Sequence, residues 1–435
     1  MMAYDTPIYN LKAVVQQTGV KADTLRAWER RYGLPQPERT DGGHRLFSQR
    51  DIDTVKWLVA RQQEGVRINH AVELWRELAS ADAEPPADAP SHIPPHPTGT
   101  ALADLRQAWV AAAVDFDEQE ASHVLEEAFA LYSPETVSLE VLQKGMAQIG
   151  AGWHAGSLSV QQEHFASELA MRRLQSLIMS TPPPSRAGQL VVAAPPEESH
   201  ALGLLLLTFL LRRRGWQTTY LGVDVPIERI EATVAATTPQ LVILGAQRLP
   251  AAATLRDMAR SLQHYNVPVG FGGRIFNMIP DLIAAIPGHY LGRTLDRAPD
   301  VIEGLLVAPR QTPESTPLPA NYRAALSHYR ERELLIRADV HRTMASEHVD
   351  TDHMLHVSTD ITQNIAAALA LGNVHFLDDY IGWMREMHRP EDLSRPMVDR
   401  YLAAYHSAIQ DILGERGRLI AGWLAQQLEL TVTSQ

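Results

Sequence analysis

QLVVAAPPEESHALG, residues 189–203, decides the fold of the largest block of this 435-residue chain. It begins as an apolar run of strand length, passes through a loop carrying Glu198, Ser199 and His200, and enters at Gly203 the apolar stretch 202–211. Strand candidates recur at 218–222, 240–245, 267–271 and 289–291, with helical stretches between them. Alternation of this kind predicts a five-stranded parallel α/β sheet over residues 187–308. Ligands of such sheets bind beyond the carboxyl ends of the strands. The loop after the first strand puts His200 there.

Working outward, three proline-rich breaks divide the chain. Residues 83–100 (AEPPADAPSHIPPHPTGT) have six prolines and no apolar periodicity, which reads as an extended linker. Residues 182–184 (PPP) form a short hinge, and 309–319 (PRQTPESTPLP) the third break. Between them, residues 101–181 read as helical, with Leu102, Leu105 and Trp109, then Val124, Leu125, Ala128 and Phe129, at helical spacing. Helices return after 319, with candidates at 322–344, 352–371 and 397–413. The expected class is multidomain, α and α/β: a head at 1–80, a linker at 81–100, a helical bundle at 101–181, an α/β domain at 187–308 and an all-helical domain at 319–435.

Composition excludes several chemistries. Apolar residues make up 45% and charged residues 21%, and no apolar run reaches the roughly 20 residues that cross a bilayer. Met1 to Asp5 show neither a basic nor an apolar leader region, so the expected compartment is the cytoplasm, with no membrane partner. Cysteine is absent, which removes disulfides, thiolate metal sites and thioether-tethered chromophores. The net charge is −12, yet residues 1–80 carry twelve Lys/Arg against ten Asp/Glu, leaving −14 for the rest. A slightly basic head on an acidic body suits a small DNA-binding domain attached to a sensor.

Within the head, residues 11–15, 18–20 and 24–32 have a helix–turn–helix layout with Gly19 at the turn. Lys21, Thr24, Arg26, Arg30 and Arg31 lie on or near the second helix, the one that can enter a major groove. Gly33 ends that helix. A Gly42-Gly43 turn and His44 to Phe47 then read as a hairpin wing, placing Arg39, His44 and Arg45 against phosphates. The run RAWERRYGLPQPERTDGGHRLFSQRDID (26–53) closely resembles the MerR family over residues 8–77. The resemblance implies a winged helix–turn–helix that binds a two-fold-symmetric, double-stranded operator as a dimer. MerR metal sensors use Cys, so the effector here is something else. The plain alternative is a generic helical head with surface arginines.

His200 is chemically suited to the place it occupies, because imidazole suits cobalt as an axial ligand and Glu198 is placed to take its other N–H. Gly203 allows close approach of a bulky ligand. Alone, E-x-H-x-x-G is a weak pattern, but with Gly272-Gly273 after the fourth strand the block resembles the cobalamin-binding flavodoxin-like fold. The family's Gly-Gly lies against the nucleotide tail; its usual Ser or Thr after the third strand is replaced by Gly245-Ala246. Preceding helices carry Trp153, nine residues, then Glu163-His164, which resembles the light-sensing cobalamin regulators of the CarH type. That likeness spans about residues 8–308. It implies that the bundle caps the upper face of adenosylcobalamin, with Trp153 against the adenosyl group and Glu163 and His164 near it. It further implies that His200 is the lower cobalt ligand, that His154 ligates cobalt from above after photolysis, and that light changes the oligomeric state, dimer or tetramer. The bland alternative makes Trp153 a core anchor with His154 and His164 solvated.

Residues 319–435 extend beyond a CarH-type chain and are rich in His, Tyr, Asp and Arg. Architecture there resembles photocobilins, which pair cobalamin with biliverdin. The resemblance implies a non-covalent bilin, for which His353 and His356, three apart on one helix face, are the candidate partners. A dimerisation bundle is the alternative. Two other functions remain open: a sensor of cobalamin level rather than light, and a corrinoid-dependent enzyme component. The latter needs a substrate barrel of about 250 residues, which the chain lacks.

Overall fold

The computed structural model describes residues 7, 9–18, 20, 22–39, 45–63, 68, 72, 99–308, 311–345, 351–386 and 395–432. The expected linker lies almost wholly outside them. The chain forms two compact units, residues 1–104 with 125–137 and residues 105–124 with 138–435.

In the first unit, helices Leu11–Thr18 and Ala22–Tyr32 form the expected pair and Gln49–Gln63 follows. Gly33, at φ +69°, ends the second helix by donating to the Glu29 carbonyl at 3.0 Å, a left-handed cap. Strands β1 (Tyr9–Asn10), β2 (Glu38–Arg39) and β3 (Arg45–Phe47) make an antiparallel sheet in the order β1-β3-β2. The β2–β3 pair is the expected wing; β1 is an addition that ties the wing back to the start of the first helix. Val14, Leu25, Trp28, Phe47, Ile52 and Leu58 fill the core. Buried Asp51 accepts from Ser48 N–H and Oγ–H, both at 2.9 Å, and from Gln36 N–H at 2.8 Å, so one carboxylate caps the third helix and pins the loop after the second.

In the second unit, Lys144–His154 and Val160–Met179 pack together and touch Trp109, Val114 and Phe116. Gly145 matters here because a Cβ would meet the buried Trp109 ring at 2.8 Å. Gln162 donates to the Val114 carbonyl at 3.0 Å, and Phe116 and Phe165 tilt together at 5.3 Å. Helix Val160–Met179 also packs on Leu202–Arg213, which joins the bundle to the sheet domain.

The sheet holds β4 (Gln189–Ala193), β5 (Gln217–Gly222), β6 (Leu241–Gly245), β7 (Val269–Gly272) and β8 (His289–Tyr290), all parallel, in the order β5-β4-β6-β7-β8. This is the flavodoxin order, whose switch point falls between β4 and β6. Strand periodicity divides the core. Leu190, Val192 and Ala194 face Leu204, Leu207 and Leu211, while Val191 and Ala193 face helix Leu249–Gln263.

The C-terminal block comprises helices Ala320–Ala345, Thr351–Leu371, Asp378–Glu386, Arg395–Leu413 and Arg418–Val432. It packs on the sheet domain through Thr351–Leu371 against Leu249–Gln263. Small buried residues on both helices, Ala251, Ala252 and Ala259 against Ala367, Ala368 and Ala370, let the backbones approach. Buried Arg256 donates to the Ala370 carbonyl and pairs with Asp257 at 2.7 Å, so its charge does not go unpaired at this seam. One hydrophobic core runs from the sheet face into these helices. Among the described residues no helix is long and apolar enough to cross a membrane.

Candidate functional site

The loop after β4 builds its site around Glu198, which is only 1% exposed. Oε1 of Glu198 accepts from His200 N–H at 2.8 Å and from His200 Nδ1 at 2.5 Å, and Oε2 accepts from Gln247 N–H at 2.5 Å. Burial alone would raise the carboxyl pKa. The hydrogen bonds from the His200 ring, Gln247 and the His200 backbone, with the His200 charge, outweigh it and hold Glu198 below its ordinary value. A carboxylate only accepts, so Nδ1 must carry the proton toward it. In the neutral imidazole Nε2 then keeps its lone pair, on a side chain that is 57% exposed. A buried carboxylate that fixes the tautomer of an outward-facing imidazole is the arrangement of a metal-ligating histidine.

Gln247 holds the next loop as well, its Oε1 accepting from Arg274 N–H at 3.0 Å. Between these loops stand Gly272, the last residue of β7, and Gly273 after it. Gly273 has φ +131°, and a Cβ on it would lie 1.9 Å from the Ala246 carbonyl oxygen, so no other residue fits. Over Gly272 a Cβ would meet nothing within 4 Å, and over Gly203 only Gln247 Nε2 at 4.0 Å. Bare backbone therefore faces open space at the carboxyl ends of β4 and β7, as a flat, bulky ligand tail requires.

The helical motif sits at a tight corner. Trp153 and His154 end helix Lys144–His154; Gly156, at φ +73°, turns the chain; and a Ser159–Gln162 capping box starts Val160–Met179. Glu163 and His164 occupy that helix's first turn, bonded to each other at 3.0 Å, with His164 exposed. Trp153 and His154 are half-buried. Nδ1 of His154 is buried without a hydrogen-bond partner among the described residues. An orphaned imidazole nitrogen here, the free Nε2 of His200 and the open glycine backbone together fit a ligand bound through imidazole to a metal.

Sequence reasoning missed the C-terminal residues that reach this site. Trp383 stacks on His154, centroids 5.4 Å apart and planes at 6°, and Tyr380 stacks on Trp383 at 6.2 Å. Tyr380 OH donates to Asp360 Oδ2 at 2.5 Å, Asp360 pairs with Arg248, and Gln363 donates to Glu197 at 3.0 Å. Of the two histidines expected to hold a bilin, His356 is exposed and the side chain of His353 lies outside the described residues.

In the head, Arg26, Arg30 and Arg31 are exposed along helix Ala22–Tyr32 and Thr24 is half-buried. Arg45 is tied to Glu29 at 2.7 Å, which braces the wing against that helix. Lys21, His44 and the side chain of Arg39 lie outside the described residues.

Comparison with known proteins places families on these blocks. Residues 9–78 match the MerR HTH family regulatory protein model, and residues 105–178 and 188–297 each match a B12 binding domain. The HTH-type transcriptional repressor CarH of Myxococcus xanthus is 32% identical over 280 residues, 61% of this chain and 88% of that protein. The repressor CarA of the same organism is 29% identical over 267 residues, 60% of this chain and 85% of that protein. The solved monomethylamine corrinoid protein of Methanosarcina barkeri aligns over 48% of this chain and 100% of its own, at 20% identity and a TM-score of 0.39.

Proposed function

Because this chain belongs to the CarH family of MerR-type regulators with B12-binding domains, we propose that it is a light-responsive transcriptional regulator with adenosylcobalamin as its chromophore. The observation that carries this reading is His200, its Nδ1 committed to a buried carboxylate and its Nε2 free at the switch point of the sheet. Adenosylcobalamin, when bound, supplies a cobalt–carbon bond that visible light breaks.

The chain's own residues do the rest. His200 would hold the cobalt through its Nε2, and Glu198 would keep its tautomer. Gly203, Gly272 and Gly273 leave room for the nucleotide tail. Trp153 would pack against the bound cofactor with Glu163 and His164 beside it, and His154 would hold the cobalt in the illuminated state. A pocket filled in one state and not in the other favours different domain arrangements, and so different dimer or tetramer populations. Heads paired by that assembly meet a two-fold operator at high effective concentration; unpaired heads do not. The operator is double-stranded DNA, contacted through Lys21, Thr24, Arg26, Arg30, Arg31, Arg39, His44 and Arg45. The chain is a regulator and not an enzyme.

The test is DNA binding by the full chain loaded with adenosylcobalamin, measured by fluorescence anisotropy on DNA from upstream of its own gene. Affinity is expected to differ between darkness and green light. Equal affinities in both, with a difference between loaded and unloaded protein, would make the chain a sensor of cobalamin level instead.

A further inference from the structure

We propose that Trp383 is a positioning residue for His154: its indole holds the imidazole in the orientation from which it ligates cobalt, so that the C-terminal helices set how readily this ligation occurs. The inference rests on the reading of His154 as the upper-face ligand.

A metal-binding histidine is ordinarily oriented by a hydrogen bond from its second ring nitrogen. His154 has no such bond among the described residues, for its Nδ1 is buried and unpartnered. It sits at the last position of its helix, just before a glycine turn. A terminal sp³–sp² torsion with no bond to fix it is broad, so something else must define the ring plane. Trp383 lies parallel to it within 6°. Offset stacking of this kind prefers one plane over others.

Trp383 is itself held. Tyr380 also stacks on it, within 22°, and the Tyr380 hydroxyl is bonded to Asp360 on helix Thr351–Leu371. Asp360 pairs with Arg248, the residue after Gln247, and the Gln247 N–H is bound by Glu198, which orients His200. Gln363, on the same helix as Asp360, is bonded to Glu197 beside Glu198. Both candidate ligands, His154 by stacking and His200 by hydrogen bonds, are thus referenced to one C-terminal helix. No separate dimerisation bundle would need these contacts.

The experiment adds hydroxocobalamin to the full-length protein and follows the visible-band shift of imidazole ligation, its rate and its extent. Variants are His154→Ala, Trp383→Ala, Trp383→Leu, Trp383→Phe and Tyr380→Phe, each checked for folding by circular dichroism. His154→Ala is expected to abolish the upper-face component of the shift. Trp383→Ala and Trp383→Leu should slow or weaken it by roughly 2- to 12-fold, the worth of one aromatic stack. Trp383→Phe, which keeps a ring, should recover most of the loss, and Tyr380→Phe should fall between. If His154→Ala removes the component while Trp383→Ala and Trp383→Leu leave rate and extent unchanged, Trp383 has no positioning role. If His154→Ala leaves the shift intact, His154 is not the ligand and the underlying reading fails with the proposal. Should Trp383→Ala not fold, the comparison of Trp383→Leu with Trp383→Phe decides, because both fill the site and only one stacks.

Discussion

Replacing Glu198 by Gln keeps the volume of a buried side chain and removes its charge, and the cost can be worked from its three hydrogen bonds. Oε1 receives two donors from His200 and Oε2 receives the Gln247 N–H. An amide has one oxygen to offer. Turned toward His200, it leaves NH₂ against the Gln247 N–H; turned the other way, it leaves NH₂ against both His200 donors. At least one buried donor goes unsatisfied in either case, at a cost of about 1–3 kcal/mol. Loss of the partner that orients a metal-bound imidazole independently costs about 10–100-fold in metal affinity. At about 1.4 kcal/mol per tenfold, the two estimates overlap. Glu198→Gln is therefore expected to bind cobalamin about 10–100-fold more weakly than the native chain, measured by absorbance titration in the dark with folding checked by circular dichroism. A folded Glu198→Gln protein with native affinity and an unchanged corrinoid spectrum would refute the assignment of Glu198 and His200 as a ligand pair.

Other outcomes follow from the same geometry. His200→Ala should weaken cobalamin binding and alter the corrinoid spectrum; native values for both would leave His200 without a ligand role. Arg26→Ala with Arg31→Ala should lower the slope of log affinity for DNA against log salt by about 0.9 for each phosphate that is no longer neutralised, and an unchanged slope would remove these residues from the interface. Gly273→Ala should lower thermal stability and cobalamin affinity together, since a Cβ there collides with the Ala246 carbonyl at φ +131°; a native melting temperature would show that the loop yields freely. Burial raises the Tyr401 hydroxyl from 10.0 to about 12, with Tyr329 and Tyr405 raised as well. The folded chain keeps these phenols neutral after the unfolded chain ionises them, so the Tyr401 contribution to stability is complete below pH 10 and lost as pH rises from 10 toward about 12. Tyrosinate absorbance should accordingly lag and rise together with loss of helical circular dichroism, whereas titration of all tyrosines near pH 10 with helicity intact would contradict the burial argument.

The sheet was legible because each strand is a short apolar run closed by Gly or Pro, and the observed bounds of β4 to β8 fall within a residue or two of those read from sequence. The pair Glu198 and His200 was legible for a local reason: two residues apart on a loop, they can meet without help from the rest of the fold. Helices 322–344, 352–371 and 397–413 were legible too, from their length and spacing. β1 was not, because two residues carry no periodicity and gain their strand geometry from pairing with β3. Nor was the link from Arg45 to Glu29, since the charge pair forms only when the wing folds back on its helix. The clearest case is Trp383. Its stack on His154 depends on the docking of Thr351–Leu371 against Leu249–Gln263, which no local pattern encodes. Spacing instead favoured His353 and His356, because a shared helix face is all that sequence can report about two histidines three apart.

Light sensing through cobalamin is tested most directly by the absorption spectrum of the full-length protein reconstituted with adenosylcobalamin, recorded in darkness and again after green light. The expected result is a stable dark spectrum of bound, imidazole-ligated adenosylcobalamin, and after illumination a changed set of visible bands that stays with the protein through gel filtration in the native chain and is altered in His154→Ala. A chain that retains no corrinoid after gel filtration, or one whose bound spectrum is the same before and after light, would contradict it.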